Sequence, residues 1–262
     1  MDWPYVAAGA LTGLVVGMTG VGGGALMTPI LLLVFGIAPL TAVGTDLWFA
    51  AITKLAVSGL HLRHGLIEWP VVQRLWMGSL PASALTLFWM STRPIDEGSV
   101  TWVKGAVAVA VCLTAAGLLA DTTLRARAGR VTATALPSGA TGSTVATVMA
   151  GAALGGLVTL TSVGAGALGV VFLVYLHGSR LTTPRLVAAD VAHAIPLALC
   201  AGAGYLAVGH VDAVLLGNLL VGSIPAALLG AAVALRVPHA ALRLALGVVL
   251  LAIGLTMLGA VV

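Results

Sequence analysis

Apolar residues run along this chain in stretches of membrane-spanning length, about 20 residues each, parted by short polar interruptions. Unbroken stretches cover 40–60, 69–91, 101–120, 184–207, 211–235 and 239–260. Each predicts a transmembrane helix. Two longer apolar runs, 4–36 and 146–177, are interrupted near their middles. The first break is Gly20-Val21-Gly22-Gly23-Gly24 and the second Ser162-Val163-Gly164-Ala165-Gly166. A helix through such a cluster loses about 1 kcal/mol per glycine relative to alanine. The pieces on either side of each break are expected to be short helices, roughly 13–16 residues, too short to cross the hydrocarbon core alone. One polar stretch, about 121–145, carries Arg125, Arg127, Arg130 and Pro137 and reads as a linker.

The two halves repeat. Gly9 and Gly13 match Gly151 and Gly155, and Thr19–Leu26 matches Thr161–Leu168, at an offset of 142. Asp46 matches Asp190, and Gly78-Ser79-Leu80-Pro81-Ala82 matches Gly222-Ser223-Ile224-Pro225-Ala226, at an offset of 144. A shared offset over glycine, aspartate and proline argues for a real duplication: 1–122 as first repeat, 123–145 as cytoplasmic linker and 146–262 as second repeat, in one membrane domain. Internal repeats in a membrane protein point to a transporter with its site at the repeat interface.

Composition agrees. With 60% hydrophobic and 8% charged residues, the surface cannot be covered for water. Net charge is +4, but the placement of Lys and Arg decides orientation. If each broken run crosses once and the linker lies inside, five basic residues fall inside and six outside. If each broken run enters and returns on one side, Arg180, Arg185, Arg236 and Arg243 move inside, giving nine against two. The second arrangement obeys the positive-inside rule. The expected fold is therefore an all-α polytopic membrane protein of two inverted repeats. Each repeat is a broken re-entrant helix plus three transmembrane helices, and both termini lie outside. Met1-Asp2-Trp3-Pro4 has no basic segment of the kind that opens a cleaved signal peptide.

The chemistry follows from the breaks. A half-helix starting at a break presents unpaired N–H groups and partial positive charge, and glycine lets an anion approach that backbone. The candidate anion cradle is Gly22, Gly23, Gly24 and Thr19 from the first repeat, with Thr161, Ser162, Gly164 and Gly166 from the second. Gly9, Gly13 and Gly17, spaced by four, read instead as a helix-packing face. Lys54 lies well inside its apolar segment, where a charge costs about 2.5–3.5 kcal/mol. It either joins the anion site or snorkels to the interface. Asp46, Asp190 and His193 are candidate proton-coupling groups. Alternatively Asp46 caps its helix after Gly44-Thr45, and Asp190 and His193, three apart, form a structural pair. Pro81 and Pro225 are kinks and candidate hinges. Trp3, Trp69, Trp76, Trp89 and Trp102 lie near segment ends as interface anchors, and Trp48 could line the site. Cys112 and Cys200 read as small core residues. His61, His64, His177, His210 and His239 lie near loops and read as solvated. No metal-ligand spacing, P-loop ending or nucleophile–base pair is seen, so no enzyme chemistry, metal or cofactor is expected.

The run Gly9-x3-Gly13-x3-Gly17-x2-Gly20-Val21-Gly22-Gly23-Gly24-x4-Pro29-x6-Gly36, followed by Ala42-Val43-Gly44-Thr45, resembles the first signature of the TauE/SafE sulfite exporter family. Arg63-His64-Gly65-Leu66-Ile67-Glu68-Trp69 resembles that family's short basic loop, and Ser162–Gly166 its second signature. The chain departs from the pattern with Asp46, where serine is common, and with a second break lacking the triple glycine and following proline. The resemblance implies a multi-pass permease of a bacterial-type inner membrane for sulfite, sulfonates or related oxyanions. Expected partners are the small anion, the lipid bilayer and, left open, a second copy of the chain; nucleic acid is not expected.

Overall fold

In a computed structural model the described residues are 2–19, 24–58, 66–92, 97–128, 144–164, 166–177, 183–234 and 239–261. Among them the regular structure is helical. The elements are α1 (Trp3–Thr19), α2 (Gly24–Leu33), α3 (Pro39–Ser58), α4 (Trp69–Ser91), α5 (Glu97–Ala128), α6 (Thr144–Thr161), α7 (Ala167–His177), α8 (Thr183–Ala207), α9 (Ala213–Ala234) and α10 (His239–Val261). Five helices among the described residues are long and apolar enough to cross a membrane: α3, the body of α5, α6, α8 and α9. The expected spans 69–91 and 239–260 fold as α4 and α10 but are not among these five, whereas α6, expected as a short piece, is.

Both broken runs are divided, but unevenly. The first pieces have 17 and 18 residues and the second 10 and 11. The expectation of two short, equal pieces is thus corrected, since α6 alone reaches spanning length. The inequality has a local cause in the first run. The chain leaves α2 by Val34, and Gly36, at φ +63°, turns it into Pro39, which opens the next helix. Helix α5 is also longer than expected and enters the polar stretch as far as Ala128. Leu, Arg and Ala are good helix formers, and Gly129 is the first breaker met there.

Small residues let helices touch at the backbone. On α1, added methyl groups at Gly9, Gly13 and Gly17 would overlap the backbone of Leu219, Ser223 and Ala227 on α9. On α6, Gly151 and Gly155 stand in the same relation to Leu75 and Ser79 on α4. The facing glycines obey the same rule: Gly222 abuts Val6 and Ala10, and Gly78 abuts Val148 and Ala152. The packing pattern therefore recurs at the sequence offsets, with α1 of one half on α9 of the other and α6 on α4. Residue numbers rise together along both pairs, so each pair is parallel.

The ends of the helices are tied as well. Arg185 at the start of α8 pairs with Glu68 at the start of α4. Past the end of α8, the Asp212 amide donates to Thr45 Oγ1 near the start of α3 (3.1 Å), and the His210 carbonyl abuts Gly44. Helices α3 and α8 are thus antiparallel neighbours. The Asp2 amide donates to Asn218 Oδ1 (3.3 Å), which holds the start of α1 beside the first turns of α9. The main core lies between α3, α5, α8 and α10 and includes Leu47, Val107, Val111, Leu197, Tyr205 and Leu250.

Several outer positions fit a bilayer, and three depart from expectation. Trp3, Trp69, Trp89 and Trp102 are exposed, as anchors are, but Trp76 is half-buried and bonded inward to the His193 carbonyl. Cys112 is half-buried against Gly254, but Cys200 is exposed and so is not a core residue; it sits on an outward face of α8. His177 is buried at the end of α7 rather than solvated. His210 is half-buried, and His61 and His64 lie outside the described residues.

Candidate functional site

Asp46 and Asp190 are each the eighth residue of a helix, α3 and α8. Both are buried. Asp46 is not a helix cap. Proline at the first position starts α3 at Pro39, and the carboxylate lies two turns inside. Its Oδ2 accepts a 2.5 Å hydrogen bond from Thr28 Oγ1 on α2. Ser162, at the second break, lies beside the same carboxylate. Yet Asp46 Oδ1 and Ser162 Oγ are both buried without a hydrogen-bond partner.

Asp190 is set differently. Lys54, two turns beyond Asp46 on α3, lies within electrostatic range of Asp190 on α8, whose two carboxylate oxygens are buried without a hydrogen-bond partner. It is only 4% exposed, so snorkelling is excluded. His193 lies within electrostatic range of Lys54, but its Nε2 is hydrogen-bonded to Ser79 Oγ on α4 (2.9 Å). The expected structural pairing of Asp190 with His193 is not formed: the i, i+3 spacing allows it, but His193 bonds to Ser79 from outside α8 and neither oxygen of Asp190 has a hydrogen-bond partner. Trp76 Nε1 donates to the His193 carbonyl (3.2 Å), which ties α4 to the same turn. Gly169, on α7, is pressed against the Asp190 carboxylate, where a side chain would overlap Oδ1.

The break and the first turn of α7 thus run from one carboxylate to the other, Ser162 beside Asp46 and Gly169 of α7 against Asp190. Its backbone is buried and irregular: Ser162 has φ 57°, Gly164 φ 112° and Gly166 φ 137°. Such non-helical backbone at membrane depth is tolerated only inside protein or beside a water-filled cavity. The Thr161 hydroxyl is engaged locally, donating to Leu157 O (2.7 Å) and accepting from the Val163 amide (3.1 Å). It holds the break's shape. Thr19 Oγ1 likewise donates to Val15 O (2.7 Å) in its own helix. Gly24 is the first residue of α2, whereas Gly22 and Gly23 lie outside the described residues.

Hydroxyl pairs join the halves around this centre. Thr53 Oγ1 and Ser223 Oγ are 3.0 Å apart, and Thr159 Oγ1 donates to Ser83 Oγ at 2.7 Å. Trp48 lies against Gly202 of α8, with Nε1 buried and without a hydrogen-bond partner. Thr28, Ser79, Thr53 and Gly169 were not singled out from sequence. Ser79 was within reach, because it stands in the pentapeptide shared by the two halves.

The model of the family described as "Sulfite exporter TauE/SafE" matches residues 5–257, a span that encloses both carboxylates, both breaks and Lys54. The chain belongs to the TauE/SafE sulfite exporter family. A probable membrane transporter protein, YjnA of Bacillus subtilis (strain 168), is 45% identical to this TauE/SafE member over 87 residues. That match spans 33% of this chain and 34% of the relative. No solved structure matches the chain. Family membership, together with five helices of spanning length and apolarity, makes this TauE/SafE protein a multi-pass membrane protein.

Proposed function

We propose that the protein is a secondary transporter of a small sulfur-containing anion, such as sulfite, a sulfonate or a related oxyanion, coupled to protons. Family membership supports the class. The observation that carries the site is the second break, which with the first turn of α7 runs from one buried carboxylate to the other, with Lys54 in electrostatic range of one of them. An anion there would meet the ammonium of Lys54, the Ser162 hydroxyl and the amides that open α2 and α7 around Gly22, Gly23, Gly24, Gly164 and Gly166, with Thr19 and Thr161 shaping the two turns. Asp46, Asp190 and His193 would exchange the coupling proton, and protonation of a carboxylate would reduce its repulsion of the incoming anion.

The proposed architecture is a pair of inverted repeats, each entered by a re-entrant helix pair. The end-to-end ties support it. With Glu68 beside Arg185, α4 and α8 start on one side, and Arg74 and Arg185 on that side support a cytoplasmic location for it. With Asp2 beside Asn218 and Asp212 beside Thr45, α1, α3 and α9 start on the other side. Each broken pair then returns to the side it entered from. Alternating access would rock one repeat against the other around the breaks, and Pro81 and Pro225, inside α4 and α9, are the candidate hinges. The membrane would be a bacterial inner membrane.

A thermal-shift screen of the purified protein tests this reading, with sulfite, sulfate, thiosulfate, sulfoacetate, taurine and simple carboxylates as ligands. Saturable stabilisation by one of the sulfur anions is expected, weakened in Lys54→Ala. Stabilisation only by carboxylates would reassign the substrate. No response from any of these anions contradicts the anion site. A passive channel with the same cradle is distinguished by its failure to accumulate anion uphill when a proton gradient is applied to proteoliposomes.

A further inference from the structure

Helix α5 carries two unlike faces. Val103, Val107, Ala110 and Val111 lie in the main core. The opposite face, at helical spacings of three and four, is Gly98, Thr101, Trp102, Gly105, Ala106 and Val109. Its small residues form the floor of an apolar groove of about 850 Å³. Leu157 and Leu160 of α6 line one side, and Leu258 of α10 lines another. Leu258 comes there because α10 runs antiparallel to α5. Gly254 packs on Cys112 and Gly247 on Leu118 and Leu119, which brings the end of α10 beside the start of α5.

The dimensions of the groove select its occupant. From Gly98 to Val109 the helix rises about 16 Å, half of the roughly 30 Å hydrocarbon core. The outer end lies at interface level. There the apolar span of α5 opens at Val100, and Trp102 stands edge-on to Trp89 with ring centroids 5.6 Å apart, as a pair of interface anchors does. The groove therefore runs through one leaflet, from headgroup level towards the midplane. Trp102 and Val109 are about half exposed, so it is open sideways to lipid. Spread over about 16 Å, its volume is a cross-section of roughly 50 Å². A helix with its side chains is 10–12 Å across and needs about 80–110 Å². A helix from a second copy does not seat in this space, whereas an extended hydrocarbon chain does.

The inner end reaches the second break. Leu157 lines the groove and also lies against Gly164, where an added methyl group would stand 3.4 Å from Leu157 Cδ2. Gly164 is one of the positive-φ residues of the break. One leucine side chain therefore separates the groove from that irregular backbone.

We propose that the groove holds one acyl chain of a bilayer phospholipid, from the leaflet in which α5 starts, and that this chain braces Leu157 against Gly164 at the second break. The headgroup stays at the level of Trp102, and the chain fills the space that α5, α6 and α10 leave between them. Without the chain, Leu157 is free to turn into the groove, and the break loses its support on that side. The proposal rests on residence in a membrane and is independent of the transport reading.

The test is photo-crosslinking of the full-length protein in proteoliposomes that contain phosphatidylglycerol with a diazirine in one acyl chain, with adducts mapped by mass spectrometry. Adducts should concentrate on 98–109 and 157–160, above those on the outward faces of α4 and α9 at Leu85 and Val214, which are more exposed. Gly105→Phe fills the groove and should lower its adducts about tenfold or more, the loss of a few methylene contacts. Leu85→Phe should leave the map unchanged. If Gly105→Phe does not fold, Ala106→Leu and the wild-type map decide the matter. Melting of lipid-stripped protein reads the brace: added phosphatidylglycerol should raise the melting temperature saturably in the wild type and in Leu85→Phe. Leu157→Ala should keep the adducts and lose that rise. Adducts spread in proportion to exposed surface, the mark of shell lipid only, would overturn the site, as would an unchanged map in Gly105→Phe. A rise retained in Leu157→Ala would overturn the brace. In a background without Cys112 and Cys200, a disulfide between copies at Val109→Cys would assign the groove to a second copy and overturn the lipid reading.

Discussion

Removing the ammonium of Lys54 while keeping its length, in Lys54→Met, takes away the positive charge that acts on the carboxylate of Asp190, which is buried at 1% exposure with neither oxygen hydrogen-bonded. Breaking one side of a buried pair costs about 3–5 kcal/mol, because the remaining charge loses its compensation. For a chain near this size, 1 kcal/mol moves the melting temperature by about 2–4 °C, so the expected fall is roughly 6–20 °C. The same logic gives a rescue. Asp190→Asn alone strands the ammonium, which is also buried, and should destabilise comparably. The double variant Lys54→Met/Asp190→Asn carries no orphaned charge and should regain most of the loss, as replacement of buried pairs by uncharged residues often does. The assay is a double-mutant cycle read by melting of the purified protein at fixed pH and salt. Additive losses in the double variant would refute the pairing. A fall of less than about 1 kcal/mol for Lys54→Met, the range of exposed pairs, would show that the lysine reaches water after all. Flux should not follow stability here: the double variant is expected to stay inactive, because the anion has lost its fixed charge.

Other expectations follow from the packing and topology. Gly13→Leu or Gly155→Leu should destabilise by about 1–3 kcal/mol or more, since backbone of α9 or α4 occupies the space, and lower yield of folded protein checks this. Gly164→Ala forces a side chain onto φ 112° and should cost roughly 1–3 kcal/mol in melting experiments, with a larger loss of anion response than Gly217→Ala, where the space is open. In a background without Cys112 and Cys200, single cysteines at Leu66 and Asp212 should be labelled by an impermeant maleimide from opposite sides of the membrane; labelling from one side would contradict the proposed topology. Glu68→Ala should change stability by less than about 1 kcal/mol, because the Arg185 pair is partly exposed.

Much of this molecule could be read from spacing. Segment ends agree within a few residues for α3, α8 and α9, since length and apolarity are what a bilayer selects, and for α4 and α10, where the polar residues on either side mark the ends. The glycines at 9, 13 and 17 gave the packing face of α1, because backbone contact leaves a periodic mark. The repeat offset marked Asp46 and Asp190 as equivalent. Partner choice was not readable in the same way. The nearness of Lys54 to Asp190 and the bond from His193 to Ser79 cross helices that lie far apart in sequence, and within α8 the spacing of Asp190 and His193 points to each other. Thr28 and Gly169 carry no pattern of their own, and matter only through the carboxylates placed against them. Asp46 was offered as a cap because Gly44-Thr45 resembles a start signal; Pro39, seven residues earlier in the chain, set the true one.

The central claim is that a small anion crosses the membrane past the breaks with Lys54 as its fixed charge. Uptake of radiolabelled sulfite into proteoliposomes carrying the wild type, Lys54→Met or no protein tests it most directly. Saturable uptake by the wild type, competed by unlabelled sulfonate, enhanced by a proton gradient and abolished in Lys54→Met at equal incorporation is the predicted result. Wild-type uptake equal to that of empty vesicles, or uptake undiminished in Lys54→Met, would contradict the account.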